Sequence, residues 1–329
     1  MSKSKNMIWI SWERHTRSIS MAGQLNAQLF EIISKGSRLK RYSICFIKTV
    51  STLMDTKPDV ILFQNPSIVL ALVIVVYKKF TGKVIIMDAH NAGIRPLEGR
   101  SAFLNFISDW IIRSTDLNIV TNKNLANKVD EIGGSSYVMT DPIPKHLAKH
   151  RSNRVCESES QVSRVTLVCT WAEDEPVLEV INAARLLGDN VVISITGKAP
   201  KNVLSMDIPN NVVLSGFLPE EEYISLLSSS DLIVDLTSRS SCLVCGAYEA
   251  AALGVPCLLS CDDSAKEVFS LGYRFTNNDP DSIADNIRYC LKSKQILREE
   301  IDRFYDIYSE GFLSKKIKLQ GKIKAMVNS

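Results

Sequence analysis

Residues 231–260 read DLIVDLTSRSSCLVCGAYEAAALGVPCLLS. The run 232–236 is short, apolar and rich in Ile and Val, and polar residues flank it, which is the pattern of a buried strand. Thr237, Ser238, Arg239, Ser240 and Ser241 then make a polar loop. The alanine- and leucine-rich segment 248–253 predicts a helix, and Gly254 stops it because glycine accepts the left-handed conformation that closes a helix. Val255-Pro256 leads into a second apolar strand, 257–261. The order is therefore strand, loop, helix, glycine stop, strand.

The same alternation extends in both directions. Upstream, 165–170, 190–197 and 211–217 read as strands, while 175–187 and 221–230 read as helices. Downstream, 282–293 reads as a helix. In the first half, strands are expected at 7–12, 42–50, 58–66, 81–91, 116–122 and 135–144. Helices are expected at 19–34, 68–76, 102–113 and 124–134, the last ended by Gly133-Gly134. Continuous Val/Ile strands alternating with helices imply parallel sheets covered on both faces. Between the halves, KHLAKHRSNRVCESESQVS (145–163) is polar, serine-rich and aperiodic, the composition of a linker. The expected class is α/β, with two Rossmann-like doubly wound domains and a cleft between them. The expected boundaries are 1–150 and 151–300, with a final helix in 301–329 packing back toward the first domain.

Bulk composition narrows the function classes. The chain has 329 residues, of which 45% are hydrophobic, 23% charged and 7% aromatic, with a formal net charge of +3. No basic–aromatic patch is present, so no nucleic-acid partner is expected. The eight cysteines (Cys45, Cys156, Cys169, Cys242, Cys245, Cys257, Cys261 and Cys290) are scattered, and residues 1–12 carry no small-residue cleavage site. A reducing, cytoplasmic location is expected. The longest apolar run, 68–76, is about half of a bilayer span and reads as a buried helix or one resting on a membrane surface. Residues 295–327 read as helical. After Glu310 they hold Lys315, Lys316, Lys318, Lys322 and Lys324 with no acid, and Leu313, Ile317, Ile323 and Val327 roughly share a face. That stretch reads as a docked helix or as a basic surface near anionic lipid, on the inner face of the cell membrane.

The 231–260 segment resembles the donor-site segment of retaining GT-B glycosyltransferases, the family 4 or group 1 type. Glu249-Ala250 and Gly254-Val255-Pro256 match that family's pattern. The resemblance implies that Glu249 accepts hydrogen bonds from the nucleotide's ribose hydroxyls, for which a carboxylate offers two oxygens. The family has a second Glu eight positions earlier, where this chain has Ser241. Sugar contacts would then come from Ser240, Ser241, Thr237 and the helix-start amides of Cys245 and Gly246. ITGKAP (195–200), with Gly197 and Lys198, sits where the family has a glycine-containing loop. TWAEDEP (170–176) carries Glu173, Asp174 and Glu175 where many relatives have an Arg and a Lys for the diphosphate. Arg239 and Lys198 remain as basic candidates, each otherwise an ordinary solvated side chain, and helix dipoles share that load.

In open parallel sheets, ligands bind beyond the carboxyl ends of the strands. In the first half, those positions hold Asp88, His90 and Asn91 after one strand, Glu13, Arg14, His15 and Arg17 after another, and Gln64 between them. The resemblance implies that His90 lies near the donor sugar or the acceptor hydroxyl, with Asp88 and Glu13 as further catalytic candidates. His15, Arg14, Gln64 and Asn91 are candidates for the acceptor, and Arg14 or Arg17 can meet phosphate. His90 and Glu249 each also have a purely structural reading. Cys242, Cys245, Cys257 and Cys261 have a spacing that superficially suits zinc, but read as buried small residues. Neither a metal nor a cofactor is expected. The chain carries no Walker loop, nucleophile elbow or GxGxxG.

The resemblance implies transfer of a sugar from a nucleotide-sugar donor to a glycan or lipid-linked acceptor, in surface polysaccharide biosynthesis, without metal. Two alternatives stand beside it. One is a non-catalytic partner subunit, which Ser241 and the acidic loop favour; the other is a nucleotide-sugar epimerase.

Overall fold

The computed structural model describes residues 6–65, 67–151 and 162–328. Most of the 145–163 linker, together with Cys156 and Pro66, lies outside the described residues. The chain forms two compact units: Met1–Pro142 with Gly311–Ser329, and Ile143–Glu310.

The first unit is built on a six-stranded sheet of order β2-β1-β3-β4-β5-β6, with every pairing parallel. Its strands are β1 (Met7–Ser11), β2 (Gln28–Glu31), β3 (Val60–Asn65), β4 (Val84–Ala89), β5 (Leu117–Val120) and β6 (Ser136–Val138). β3 is buried along its whole length and β4 at every residue after Val84. Such strands lie between two helical layers and must be apolar on both faces. Ile8, Ile10, Ile61, Phe63, Ile85 and Met87 form the centre of this unit's core.

Two sequence expectations fail here. Residues 42–50 are not a strand but the middle of the helix Arg38–Thr56. Cys45, Thr49 and Leu53 are its buried residues, spaced four apart, whereas Ile47 is exposed. Apolar residues on more than one side of this helix imitate the run of a buried strand. Residues 19–34 are not one helix either. The helix Thr16–Leu25 ends at Asn26 in the left-handed region, and β2 follows at the sheet edge. β2 is only half-buried, so it lacks the continuous apolar run that marks its neighbours.

The second unit repeats the design, with sheet order β12-β11-β10-β7-β8-β9 and all pairings parallel. Its strands are β7 (Ser163–Leu167), β8 (Val191–Thr196), β9 (Val212–Gly216), β10 (Leu232–Asp235), β11 (Cys257–Ser260) and β12 (Tyr273–Thr276). Separate clusters pack on its two faces, one around Val180, Ile193 and Ile287, the other around Ala250, Phe269 and Phe304. The helix Cys245–Leu253 ends at Gly254 with φ 67°, the left-handed closure expected of that glycine.

The last helix, Lys294–Asn328, contributes to both units. Leu297, Ile301 and Phe304 are buried in the second, and Leu319 and Ile323 in the first. Within the first unit, the Tyr137 hydroxyl donates to the Lys315 carbonyl at 2.7 Å and Lys316 Nζ to Gln24 Oε1 at 3.2 Å. Of the face read from the sequence, Ile323 is buried and Val327 half-buried, but Leu313 and Ile317 are exposed, and Phe312 and Leu319 complete the buried seam instead. Among the described residues, no helix is long and apolar enough to cross a membrane.

Candidate functional site

In each sheet the strand order reverses beside the first strand, between β1 and β3 and between β7 and β10. Loops leaving the carboxyl ends of such neighbours part to opposite faces and open a crevice. The candidate residues gather there.

In the second unit, β10 ends at Asp235, and its loop runs through Thr237, Arg239, Ser240 and Ser241 to the helix Cys245–Leu253. The loop is tied down by carboxylates. The Thr237 hydroxyl donates to Asp174 Oδ2 at 2.7 Å, and Arg239 lies 3.1 Å from Asp174 Oδ1. The Ser241 amide donates to Asp262 Oδ2 at 3.0 Å. Ser241 itself takes a positive φ of 55°, which is costly for a residue with a Cβ. Asp262 also caps the helix Asp263–Val268 through the amides of Ser264 and Ala265. Ser240 and Lys198 are exposed. Gly197 has φ 78°, and a Cβ there would stand 2.4 Å from the Cys169 carbonyl oxygen, so only glycine fits.

Glu249 projects from that helix, and its Oε2 accepts from the Tyr223 hydroxyl at 2.6 Å. Burial raises the Glu249 pKa, against the pull of the Tyr223 hydrogen bond. Its other oxygen takes no hydrogen bond among the described residues, so it is free to accept from a diol. Asp235 is buried and accepts from the Gly246 amide at 2.8 Å; burial pushes its pKa well above the ordinary carboxylate value. A Cβ on Gly246 would lie 2.5 Å from Asp235 Oδ2.

The loop after β7 holds an anion of its own. The Thr170 amide and hydroxyl and the Ala172 amide all donate to the Glu175 carboxylate, at 2.8–3.1 Å. Converging backbone amides of this kind bind phosphates in other loops. Here a side chain fills them. An open cavity of about 520 Å³ lies alongside, lined by Trp171, Asp174, Val177, Asn202, Ser238 and Asn278 among others.

In the first unit, Asp88 at the end of β4 is the hub. Arg17 is buried in the first turn of Thr16–Leu25, and its Nε donates to both Asp88 oxygens at 2.9 and 3.1 Å. Its other nitrogens reach Asp141 and the Met139 carbonyl. Burial disfavours both charges, but the ion pairs outweigh it. They hold Arg17 above its ordinary pKa and, with His90, bring Asp88 down to about 2. Arg17 is therefore committed to two carboxylates and is not open to a phosphate, contrary to the sequence expectation. His90 Nε2 lies 3.4 Å from Asp88 Oδ2, and the His15 and His90 rings meet edge-on at 5.0 Å. His15 Nδ1 is buried without a hydrogen-bond partner among the described residues. Burial, then the neighbouring His90, lowers the pKa of His15. Gln64 accepts from Ser11 Oγ at 2.6 Å and reaches Glu13 Oε1 at 3.4 Å. Arg14 is exposed, and Asn91 opens the short helix Asn91–Ile94.

Sequence reasoning missed Asp141, Tyr223, Asp235 and Asp262. Each acts through a partner distant in the chain, and no local spacing marks such pairs. The cysteines divide: Cys257 is buried in β11, whereas Cys245 and Cys261 are exposed, so these two are not the buried small residues expected. Cys261 lies one residue beyond the end of β11, where the chain has left the covered sheet. No group of three or more His, Cys, Asp or Glu side chains that could hold a metal occurs among the described residues.

Residues 173–304 match the family model described as glycosyl transferases group 1. No curated protein matches the chain significantly. Among solved structures, the chain is similar to Anabaena HepE in complex with UDP and glucose, at 13% identity and TM-score 0.72, covering 99% of this chain and 100% of that one. It is also similar to sucrose-phosphate synthase of Thermosynechococcus elongatus, at 12% identity and TM-score 0.71, covering 99% and 86%. A third is S. aureus MnaA with UDP, at 12% identity and TM-score 0.65, covering 98% and 97%. These likenesses show the fold: two Rossmann-like α/β units of the GT-B type.

Proposed function

We propose that the chain is a glycosyltransferase that moves a sugar from a nucleotide-sugar to a glycan or lipid-linked saccharide in surface polysaccharide biosynthesis. The observation that carries this is Glu249. It is held by Tyr223 on the helix after β10, inside the segment that matches the group 1 model. In this reading Glu249 accepts from the ribose hydroxyls, and Thr237, Arg239, Ser240, Ser241, Gly197 and Lys198, with the amides of Cys245 and Gly246, surround the rest of the donor. Arg239 leaves Asp174 to meet the diphosphate, and the leaving-group charge is stabilised without a metal. In the first unit, Arg17 keeps Asp88 ionised, and in this reading Asp88 closes the 3.4 Å to His90 Nε2 and orients the imidazole. A carboxylate-oriented imidazole can bind a hydroxyl or take its proton. Glu13, Arg14, His15, Gln64 and Asn91 form the acceptor side. The enzyme works in the cytoplasm, peripherally on the inner face of the cell membrane.

The test is binding and turnover. UDP and a panel of nucleotide-sugars are expected to raise the melting temperature of the full chain, and Glu249→Ala to weaken the best binder about tenfold or more. Unchanged affinity in that variant would remove Glu249 from the donor site. One structural feature favours a second reading, a non-catalytic partner subunit: Glu175 fills the anion-binding amides after β7 and Asp174 engages Arg239. Failure of every nucleotide-sugar to stabilise the chain would select it. A product formed from the donor alone would instead identify an epimerase.

A further inference from the structure

Tyr223 and Glu249 lie on two helices of the second unit, Glu220–Ser228 and Cys245–Leu253, which pack against each other. Ile224 and Leu227 are buried and anchor the first of these helices. Tyr223 stands one turn before Leu227, and its ring packs against the same apolar cluster. A ring held in this way has two torsions and leaves its hydroxyl little freedom. That hydroxyl donates to Glu249 Oε2 at 2.6 Å, the length of a hydrogen bond to an ionised carboxylate. Glu249 Oε1 takes no hydrogen bond among the described residues.

A second carboxylate gives this contact its consequence. Asp235 ends β10 and accepts from the Gly246 amide in the first turn of the Glu249 helix. Burial pushes the Asp235 pKa well up, and the charges of Glu249, Glu175 and Asp174 act in the same sense. Two close carboxylates with unlike surroundings divide their protons unequally, and the donors around each decide which keeps its charge. Glu249 has the Tyr223 hydroxyl and faces His146 on the helix Lys145–Ala148, and both favour its charged form against burial. His146 itself lies 3.8 Å from Glu220. Cys257 on β11 also faces the two carboxylates, and burial holds its thiol neutral.

We infer that Tyr223 is a positioning residue for the nucleotide: its hydroxyl occupies Glu249 Oε2 and turns Oε1 toward the ribose hydroxyls. This role rests on the donor assignment proposed above and adds to that site a residue from another helix. Ribose hydroxyls donate here, so the carboxylate must be ionised to accept from them. Nucleotide affinity is therefore expected to fall as pH drops and Glu249 takes a proton. The Tyr223 hydroxyl favours the charged form, so without it that fall begins at higher pH.

The experiment is a double-mutant binding cycle on the full chain, read by calorimetry from about pH 5 to 8. The probes are UDP-glucose, GDP-mannose and ADP-glucose, whose diphosphates do not titrate near neutrality. The one that the wild type binds most tightly is compared in Tyr223→Phe, Glu249→Ala and the double variant. Phenylalanine keeps the ring and its packing, so only the hydroxyl is lost. Tyr223→Phe is expected to weaken binding about three- to tenfold at neutral pH and to move the acid limb of the profile to higher pH. In the Glu249→Ala background the same change is expected to have no further effect. Every variant keeps His146, so its titration is common to all. A merely structural contact would lower the melting temperature of the unliganded Tyr223→Phe chain and leave affinity and pH profile as in the wild type, which overturns the role of Tyr223. Equal weakening in both backgrounds also overturns it, because Tyr223 would then touch the donor itself. If Tyr223→Phe is inert while Glu249→Ala weakens binding, the role of Tyr223 falls and the donor assignment stands. If Glu249→Ala binds as the wild type does, or none of the three probes binds, both fall.

Discussion

Gly246 has no side chain because Asp235 occupies the space a Cβ would need, 2.5 Å away. Gly246→Ala is therefore expected to destabilise the second unit by about 1–3 kcal/mol, read as a lower urea midpoint at unchanged slope. Asp88 presents the opposite case, a buried charge kept ionised by its neighbour. Its pKa is lowered, so its contribution to stability is complete above the ordinary carboxylate value of 3.8 and is lost as pH falls through about 2. Asp88→Asn leaves Arg17 with Asp141 as its remaining carboxylate partner. It is expected to cost about 3 kcal/mol at neutral pH. His15 acts in the same direction, nearer neutrality. Its pKa lies below 6.5, so the unfolded chain takes its proton first as pH falls, and stability declines below about that pH. The facing groups are His90, Asp88, Asp141 and Glu13. His15→Gln is expected to flatten the stability curve between pH 5 and 7. An unchanged slope in urea titrations across that range would assign the dependence to another of these groups.

At the scale of the element, the helix Arg38–Thr56 shows how an apolar run misleads. Strand pairing of 42–50 would put Cys45, Ile47 and Thr49 on one face, because strand side chains alternate with period two. In the helix Ile47 turns to solvent while Leu53 is buried. Ile47→Ser is accordingly expected to change stability by no more than about 0.5 kcal/mol, and Leu53→Ala to cost about 2–4 kcal/mol. Comparable losses at both positions would contradict the helical assignment. The loop after β7 makes a related point about function. Its amides point at one carboxylate, Glu175, so the local backbone is arranged for an anion whether or not a phosphate ever reaches it.

For the whole molecule, the cores are separate: one cluster belongs to the first unit and two to the second. Separate cores allow separate unfolding, so scanning calorimetry is expected to depart from a single two-state transition. If the donor assignment holds, UDP raises only the transition of the second unit, because a ligand stabilises the folded form that binds it. Glu249→Ala removes that shift. A uniform shift of the whole profile would contradict independent units.

Apolar patterning along the chain suffices for the α/β class, the two parallel sheets and most strand positions. Fully buried parallel strands are continuous apolar runs, and β3, β4 and β10 announce themselves in this way. It also singles out Glu249 as a candidate, because the strand, loop, helix and Gly254 stop around it are contiguous in the chain. β2 and the Arg38–Thr56 helix were illegible, since their burial depends on what packs against them. The pairings that give the candidate site its chemistry were decided by tertiary structure alone. Arg17 meets Asp88 and Asp141 across 71 and 124 residues of chain, and Tyr223 meets Glu249 across 26. A charge takes its partner and its pKa from neighbours in space, and no local pattern encodes neighbours that far apart in sequence.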